Sequence, residues 1–168
     1  LLRHGLLAAG SPFFDYGCGR GNDLATLRGE GYKADGWDPH FAPAEPLSRA
    51  DVVNLGFVIN VIEDAGERVE ALCRAFSLAE KVLSVAVMLG DGELQGKPFA
   101  DGVLTTRRTF QKYFSQAEFK DYLETSLHQD AFMVGPGVAF VFADKEAEQR
   151  FCAGRYRRRG ISERLLAR

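Results

Sequence analysis

Cysteine is scarce in this sequence, and long apolar runs are missing. The three cysteines (Cys18, Cys73, Cys152) are odd in number, widely spaced and contain no C-x-x-C pair. That excludes a disulfide-built scaffold, gives no metal site and suits a reducing compartment. The most apolar run, residues 82–89, is broken by Ser84 and falls far short of the ~20 residues a spanning helix needs. No charged-then-apolar leader precedes a small-residue cleavage site, so the expected location is the cytoplasm. His4, His40 and His128 are scattered and no metal is expected. Internal repeats and low-complexity tracts are lacking too. A start at Leu1 rather than Met leads us to expect a longer parent chain.

What remains is an ordinary globular composition. The chain has 168 residues, 46% apolar and 26% charged, a one-domain length able to bury a sizeable core. The formal net charge of −2 hides an asymmetry. Residues 150–168 carry seven arginines against Glu163, or +6, leaving −8 on the other 149. A basic end on an acidic body reads either as an arm for nucleic acid or as a solvated helix leading elsewhere.

The apolar pattern gives an order of elements. Residues 1–9 read as the end of a helix stopped by Gly10. Strands are expected over 12–16, 33–37, 51–57 and 81–89, and helices over 23–28 and 64–79, the latter from Val69, Leu72, Cys73 and Phe76. Residues 40–50, with Pro43 and Pro46, read as loop, and so do the glycine-rich residues 90–102. One or two helices are expected over 107–126, with Phe110, Tyr113, Phe114, Phe119, Tyr122 and Leu123 as a core-facing aromatic stripe. Residues 131–134 and 138–142 are joined only by Gly135-Pro136-Gly137 and must form an antiparallel pair. Alternating strands and helices imply a mostly parallel sheet with helices on both sides.

The first strand runs directly into Asp15-Tyr16-Gly17-Cys18-Gly19-Arg20-Gly21. Alternate glycines let the chain turn sharply and bring its backbone close to a ligand. Seventeen residues beyond Gly21 stands Asp38, where a carboxylate can accept hydrogen bonds from ribose hydroxyls. Together these describe a nucleoside-containing cofactor lying across the carboxyl ends of the strands. A dinucleotide fingerprint wants a third glycine where this chain has Asn22. Asp15 would repel a pyrophosphate but suits an ammonium group. S-adenosylmethionine carries an amino group and a sulfonium and no phosphate, so electrostatics favours it over nicotinamide or flavin cofactors.

The loop resembles the first motif of class I S-adenosylmethionine-dependent methyltransferases, whose element order also matches. The resemblance implies an α/β, Rossmann-like three-layer fold with a mostly parallel sheet, closed by a C-terminal antiparallel hairpin; for this chain, shortened after its second strand, about six strands are expected. It implies that Asp15, Gly17 and Gly19 surround the methionine end, that the Cys18 backbone faces the cofactor and that Asp38 holds the ribose. More specifically, FDYGCGRGND (14–23), GWDP (36–39) and ADVVNLGFVINVIED (50–64) resemble the bacterial methyltransferases associated with DNA phosphorothioation. That likeness implies a setting among DNA-modification proteins. We expect a cofactor-binding domain over 1–145 and a basic helical extension over 146–168.

Two departures limit the carry-over. Only 12 residues separate Asp38 from Asp51, too few for the usual helix and strand. The fold should therefore be shortened after the second strand, with Trp37, Pro39 and Phe41 replacing the missing enclosure of the adenine. Trp37 reads first as a core residue of its own strand. Asn54-Leu55-Gly56-Phe57 is similar to the N-P-P-F/Y tetrad of DNA amino-methyltransferases, but both prolines are absent. Asn54 stands only two residues into its apolar run, so Gly56 and Phe57 should reach the cofactor instead. No cysteine fits a nucleophile's role. Asn60 and Glu63 are the candidates for polarising a methyl acceptor, while Asp64 reads as a helix cap. The leading expectation is a methyltransferase domain acting on DNA or another nucleic acid. The competing one is a non-catalytic cofactor-binding or scaffolding module.

Overall fold

Short strands, most of them apolar, build one sheet through the middle of the molecule. The structure is a computed structural model; it describes residues 1–90 and 96–166, with side chains described as far as Arg155. Strands β1 (Pro12–Tyr16), β2 (Lys33–Trp37), β3 (Ala50–Gly56) and β4 (Ala79–Ala86) are parallel. Helix α1 (Asn22–Gly29) joins the first pair and α2 (Ala65–Leu78) the last. A separate three-stranded sheet follows: β5 (Lys97–Phe99), β6 (Gly102–Leu104) and β7 (Phe110–Gln111). Then come α3 (Gln116–Leu127), the hairpin β8 (Ala131–Gly135) and β9 (Val138–Phe142), and α4 (Lys145–Leu166). The large sheet runs β2-β1-β3-β4-β9-β8. Only β9 is reversed, paired antiparallel to both β4 and β8.

Alternation along the strands sorts side chains into two layers. Phe14, Tyr16, Val53, Leu55, Leu83 and Val85 pack with Leu72 and Ala75 of α2 and Phe119 and Leu123 of α3. Phe13, Val52, Val82, Phe140 and Phe142 face the other way, toward Leu7, Leu24 of α1, and Ala147 and Phe151 of α4. Each fully buried Leu or Phe contributes ~1.5–3 kcal/mol of transfer free energy, so these layers are the main source of stability. The first turns of α4 belong to the second layer, because Phe151 stacks on Phe132, Phe140 and Phe142.

The sheet is shortened after β2, as expected. Between Trp37 and Ala50 the chain makes turns and one isolated bridge, Asp38 to Ala42, and leaves β2 as an edge strand. Other expectations fail. The expected helix over 1–9 is a single 3-10 turn, Leu2–His4, ended by Gly5 in the left-handed conformation at φ 67°. The strand expected over 51–57 stops at Gly56, and Phe57 turns away at φ 59°.

The helix expected from 107 begins only at Gln116. Ser115 accepts from the Glu118 N–H while the Glu118 side chain accepts from the Ser115 N–H, a capping box that fixes the start. Upstream, Phe110 on β7 pairs with Leu104 on β6. Phe110, Phe114, Phe119 and Leu123 are still buried, Tyr122 packs half-buried against the core, and Tyr113 is half-buried outside both core clusters, so all of the stripe but Tyr113 is core although it spans two kinds of element. The expected loop over 90–102 contains β5 at its far end, and its residues 91–95 lie outside the described part. So do the side chains of Arg157, Arg158, Arg159 and Arg164 and all of Arg168, on which the nucleic-acid arm depends.

Candidate functional site

Strand register brings the first acidic residue to the sheet's carboxyl edge. Asp15 is paired with Asn54, and Asn54 with Ser84, in one row across β1, β3 and β4. Within this row the Asn54 Nδ2 donates to Asp15 Oδ1 at 2.9 Å. Asp15 is buried. Burial pushes its carboxyl up; the Asn54 hydrogen bond offsets part of this, and the carboxylates of Asp23 and Asp38 add to it. Asp15, Asn54 and Ser84 line a cleft of about 640 Å³ on the α1 side of the sheet, walled by Leu7, Leu27 and Val138.

The glycine loop follows immediately. Gly17, Gly19 and Gly21 all take left-handed φ values, 86°, 55° and 75°. A Cβ on Gly17 would collide with the Val58 side chain, so this turn needs glycine for conformation and for space. The N–H groups of Gly17 and Cys18 donate to the Trp37 carbonyl at 2.7 and 3.1 Å, which ties the loop to the end of β2. Burial, together with Asp15 and Asp38, pushes the Cys18 thiol up. That keeps it protonated and a poor nucleophile.

Asp38 organises the next turn. Its Oδ2 accepts from the Gly19 N–H at 3.0 Å, and its Oδ1 from His40 and Phe41 N–H at 2.8 and 2.9 Å. Burial alone would raise this carboxyl, but the three N–H donors and nearby His40 hold it below the usual range. A carboxylate offers about four acceptor positions. Three are occupied, and the one that remains is on Oδ2.

Gly17, Trp37, Asp38, Pro39, Gly56, Phe57 and Glu63 line a second cleft, about 560 Å³, on the α2 side. Trp37 packs against Tyr16 at 5.2 Å between centroids and lies half-buried against the core. Cys18, Gly19 and Phe41 instead line a smaller hollow of about 220 Å³, where Phe41 lies 5.0 Å beneath the Arg20 guanidinium. Asn60 lines neither large cleft; it is buried with its side-chain oxygen unpartnered. The structure therefore gathers most of the expected residues along one edge, on two faces, and leaves out Asn60.

No family model matches the chain, and no curated protein sequence matches it. Solved structures do. The 1,6-didemethyltoxoflavin N1-methyltransferase of Burkholderia thailandensis, with 1,6-didemethyltoxoflavin and S-adenosylhomocysteine bound, is 18% identical, with a TM-score of 0.60 over 83% of this chain and 75% of that one. An amino pentose methyltransferase of calicheamicin biosynthesis from Micromonospora echinaspora, with S-adenosylmethionine bound, is 12% identical, at 0.57 over 84% and 87%. Magnesium protoporphyrin IX methyltransferase from Synechocystis, with S-adenosylhomocysteine bound, is 15% identical, at 0.56 over 86% and 78%. The chain has the methyltransferase fold.

Within that fold, one group of charges went unseen in the sequence. Arg68 on α2 is 2% exposed. It forms a two-pronged pair with Asp101, Nη1 to Oδ2 at 2.7 Å and Nη2 to Oδ1 at 3.0 Å. Buried Lys112 reaches Asp101 at 3.3 Å and Glu118 at 2.8 Å. Hydrogen bonds from Arg68, then Lys112, bring the Asp101 carboxyl down to about 2. Helical spacing hid this group, because Arg68 occupies the α2 face whose other buried members are Leu72 and Ala75. Among the described residues no cluster of histidine, cysteine and acidic side chains is placed to hold a metal. No helix of the described chain is long and apolar enough to cross a membrane.

Proposed function

We propose that this chain is an S-adenosylmethionine-dependent methyltransferase domain. The observation that carries the reading is the Gly19 to Asp38 hydrogen bond. It joins the glycine loop after β1 to the acid after β2, so that both face one end of a sheet with methyltransferase topology. Bound there, S-adenosylmethionine would supply a methyl group made transferable by its sulfonium. The residues present fit it. Gly17 offers a backbone without a Cβ, Asp38 keeps one acceptor position on Oδ2 for a ribose hydroxyl, and Asp15 meets Asn54 through Oδ1, so that contact does not use its second oxygen. Reaching over the sheet edge from the 560 Å³ cleft into the 640 Å³ one, the cofactor's amino group would meet Asp15, and its positive charge would stabilise a carboxylate that burial disfavours. Pro39, Gly56, Phe57 and Trp37 would wall the adenine side; Phe41, in the smaller hollow, would not reach it.

The stretches 14–23, 36–39 and 50–64 support a finer reading: a cytoplasmic enzyme working with DNA-modification proteins of a phosphorothioation system. The cofactor-binding domain would cover 1–145. The extension 146–168 would dock through Ala147 and Phe151 and offer its arginines to nucleic acid. Removing residues 152–168, beyond that docking, should lower both DNA affinity and its dependence on salt; an unchanged slope would make the segment a linker. A second reading is a module that binds the cofactor without catalysis. It is favoured by Asn54, which is committed to Asp15, and by the withdrawal of Asn60, which leave exposed Glu63 as the acidic candidate near an acceptor.

Calorimetry tests the core of the proposal. S-adenosylmethionine and S-adenosylhomocysteine should bind the chain and NAD should not. Binding of NAD alone, or of none of the three, would overturn it. Transfer of labelled methyl from the cofactor to DNA, RNA or protein then separates enzyme from module.

A further inference from the structure

The wall of the 560 Å³ cleft is a loop, residues 57–63, and its carbonyls are held from outside the cleft. Arg68 Nε donates to the Ile62 carbonyl at 3.1 Å and Nη2 to the Glu63 carbonyl at 3.2 Å. The backbone N–H of Lys112 donates to the Asn60 carbonyl at 2.7 Å. The two residues that grip the loop converge on one carboxylate, Asp101, at the turn between β5 and β6. That turn is strained: Ala100 sits at φ 47°, in the left-handed region that a side chain disfavours. Such a conformation persists only where its surroundings enforce it, and here two nearly buried cations fix the residue that follows.

We propose that Asp101 is a positioning residue for the cofactor cleft. It locks Arg68 and Lys112 in the poses that hold the 57–63 loop, and so couples the small β5–β7 sheet to the cleft wall. Without its charge, Arg68 keeps its α2 position but loses the two-pronged partner that orients its guanidinium. A bidentate pair fixes direction as well as distance, so the Ile62 and Glu63 carbonyls would then be held by a group free to rotate. The loop carries Phe57 and Val58, which line the cleft together with Pro39 and Gly17. The consequence for the cofactor rests on the function proposed above; the consequence for the loop does not.

Asp101→Asn keeps the shape of the side chain and removes its charge. Leu127→Ala, at the far end of α3, serves as a control that loosens the core without touching the loop. Two measurements are made at a temperature where circular dichroism shows every variant fully folded: amide hydrogen exchange at Val61, whose N–H bonds to the Val58 carbonyl within the loop, and calorimetric affinity for S-adenosylhomocysteine. We expect Asp101→Asn to speed exchange at Val61 and to weaken the ligand about fivefold or more, with Leu127→Ala changing neither. Unchanged exchange in Asp101→Asn, or equal acceleration in the control, would overturn the positioning role. If the wild-type chain fails to bind S-adenosylhomocysteine, the proposed function falls, and Val61 exchange still decides the role of Asp101.

Discussion

Gly17→Ala tests the glycine loop as a steric device. At φ 86° an alanine pays the left-handed penalty of ~1–2 kcal/mol. Its Cβ also meets the Val58 side chain. Val58 is β-branched and cannot swing clear through a soft torsion, so overpacking adds ~1–3 kcal/mol. The expected loss is about 2–5 kcal/mol, a large share of the ~5–15 kcal/mol that such domains possess. Urea unfolding followed by the fluorescence of Trp37, the one tryptophan, measures this at the site itself. The midpoint should fall with the slope unchanged. Val58→Ala removes the obstacle, so the double variant should recover the overpacking part and leave the conformational part, a coupling of ~1–3 kcal/mol. A Gly17→Ala loss below about 1 kcal/mol, or strict additivity with Val58→Ala, would refute the steric reasoning.

Three further outcomes follow from particular residues. Ala100→Gly should stabilise the chain by up to ~1 kcal/mol in the same unfolding assay, because glycine accepts the φ of 47° that alanine resists. Asp101 contributes stability above its ordinary range, and that contribution should disappear as pH falls from about 4 toward about 2. The full linkage value is ~2.4 kcal/mol, and solvent screening of the 45% exposed side chain cuts it to about 1 kcal/mol. Thermal melts of wild type and Asp101→Asn across that interval should therefore converge at the acid end. Asp15 behaves oppositely: its carboxyl is raised, so its ionisation opposes folding as pH climbs through and above the usual carboxylate range. Asp15→Asn should raise the melting temperature of the free chain at pH 7 and weaken S-adenosylhomocysteine in calorimetry; tighter or unchanged binding would remove Asp15 from the ligand's amino group.

The fold was legible wherever one local signal decided the element. Residues 12–16 are a short apolar run ended by Gly17, residues 33–37 follow Gly31 and are ended by Asp38-Pro39, and the structure keeps both sets of boundaries. Asp64 reads as a cap, and its carboxylate accepts from the Glu67 N–H at 2.9 Å. Legibility ended where two signals competed. Aromatic spacing over 107–126 suggested helix throughout, yet pairing of Phe110 with Leu104 won upstream of the Ser115 cap. The Ser115-x-x-Glu118 pattern was itself visible and would have placed the helix start. For the site, a loop and an acid could be read from sequence because each sits beside a strand end. Arg68, Asp101 and Lys112 could not, since 33 residues separate Arg68 from Asp101 and only the small sheet closes that gap.

Asp38 shows why the shortened crossover and the candidate site cannot be treated separately. An ordinary strand–helix–strand unit would order the chain beyond β2 through its own helix and strand pairing. Here that work falls to one residue. The Asp38 side chain ties down His40 and Phe41, and its carbonyl accepts from Ala42 at 3.1 Å. Hydrogen bonds to a charged acceptor are worth ~1.5–3 kcal/mol, so removing the side chain would disorganise the 12-residue link as well as any ribose contact. A loss of ligand affinity in Asp38→Ala would not by itself identify the ribose partner. Separating the roles requires chemistry on the ligand side. 2′-Deoxy and 3′-deoxy analogues of S-adenosylhomocysteine leave the turn intact. Because one acceptor position on Oδ2 is open, only one of the two analogues should bind markedly more weakly to the wild-type chain. Equal weakening by both would mean that the turn rearranges on binding to free a second position.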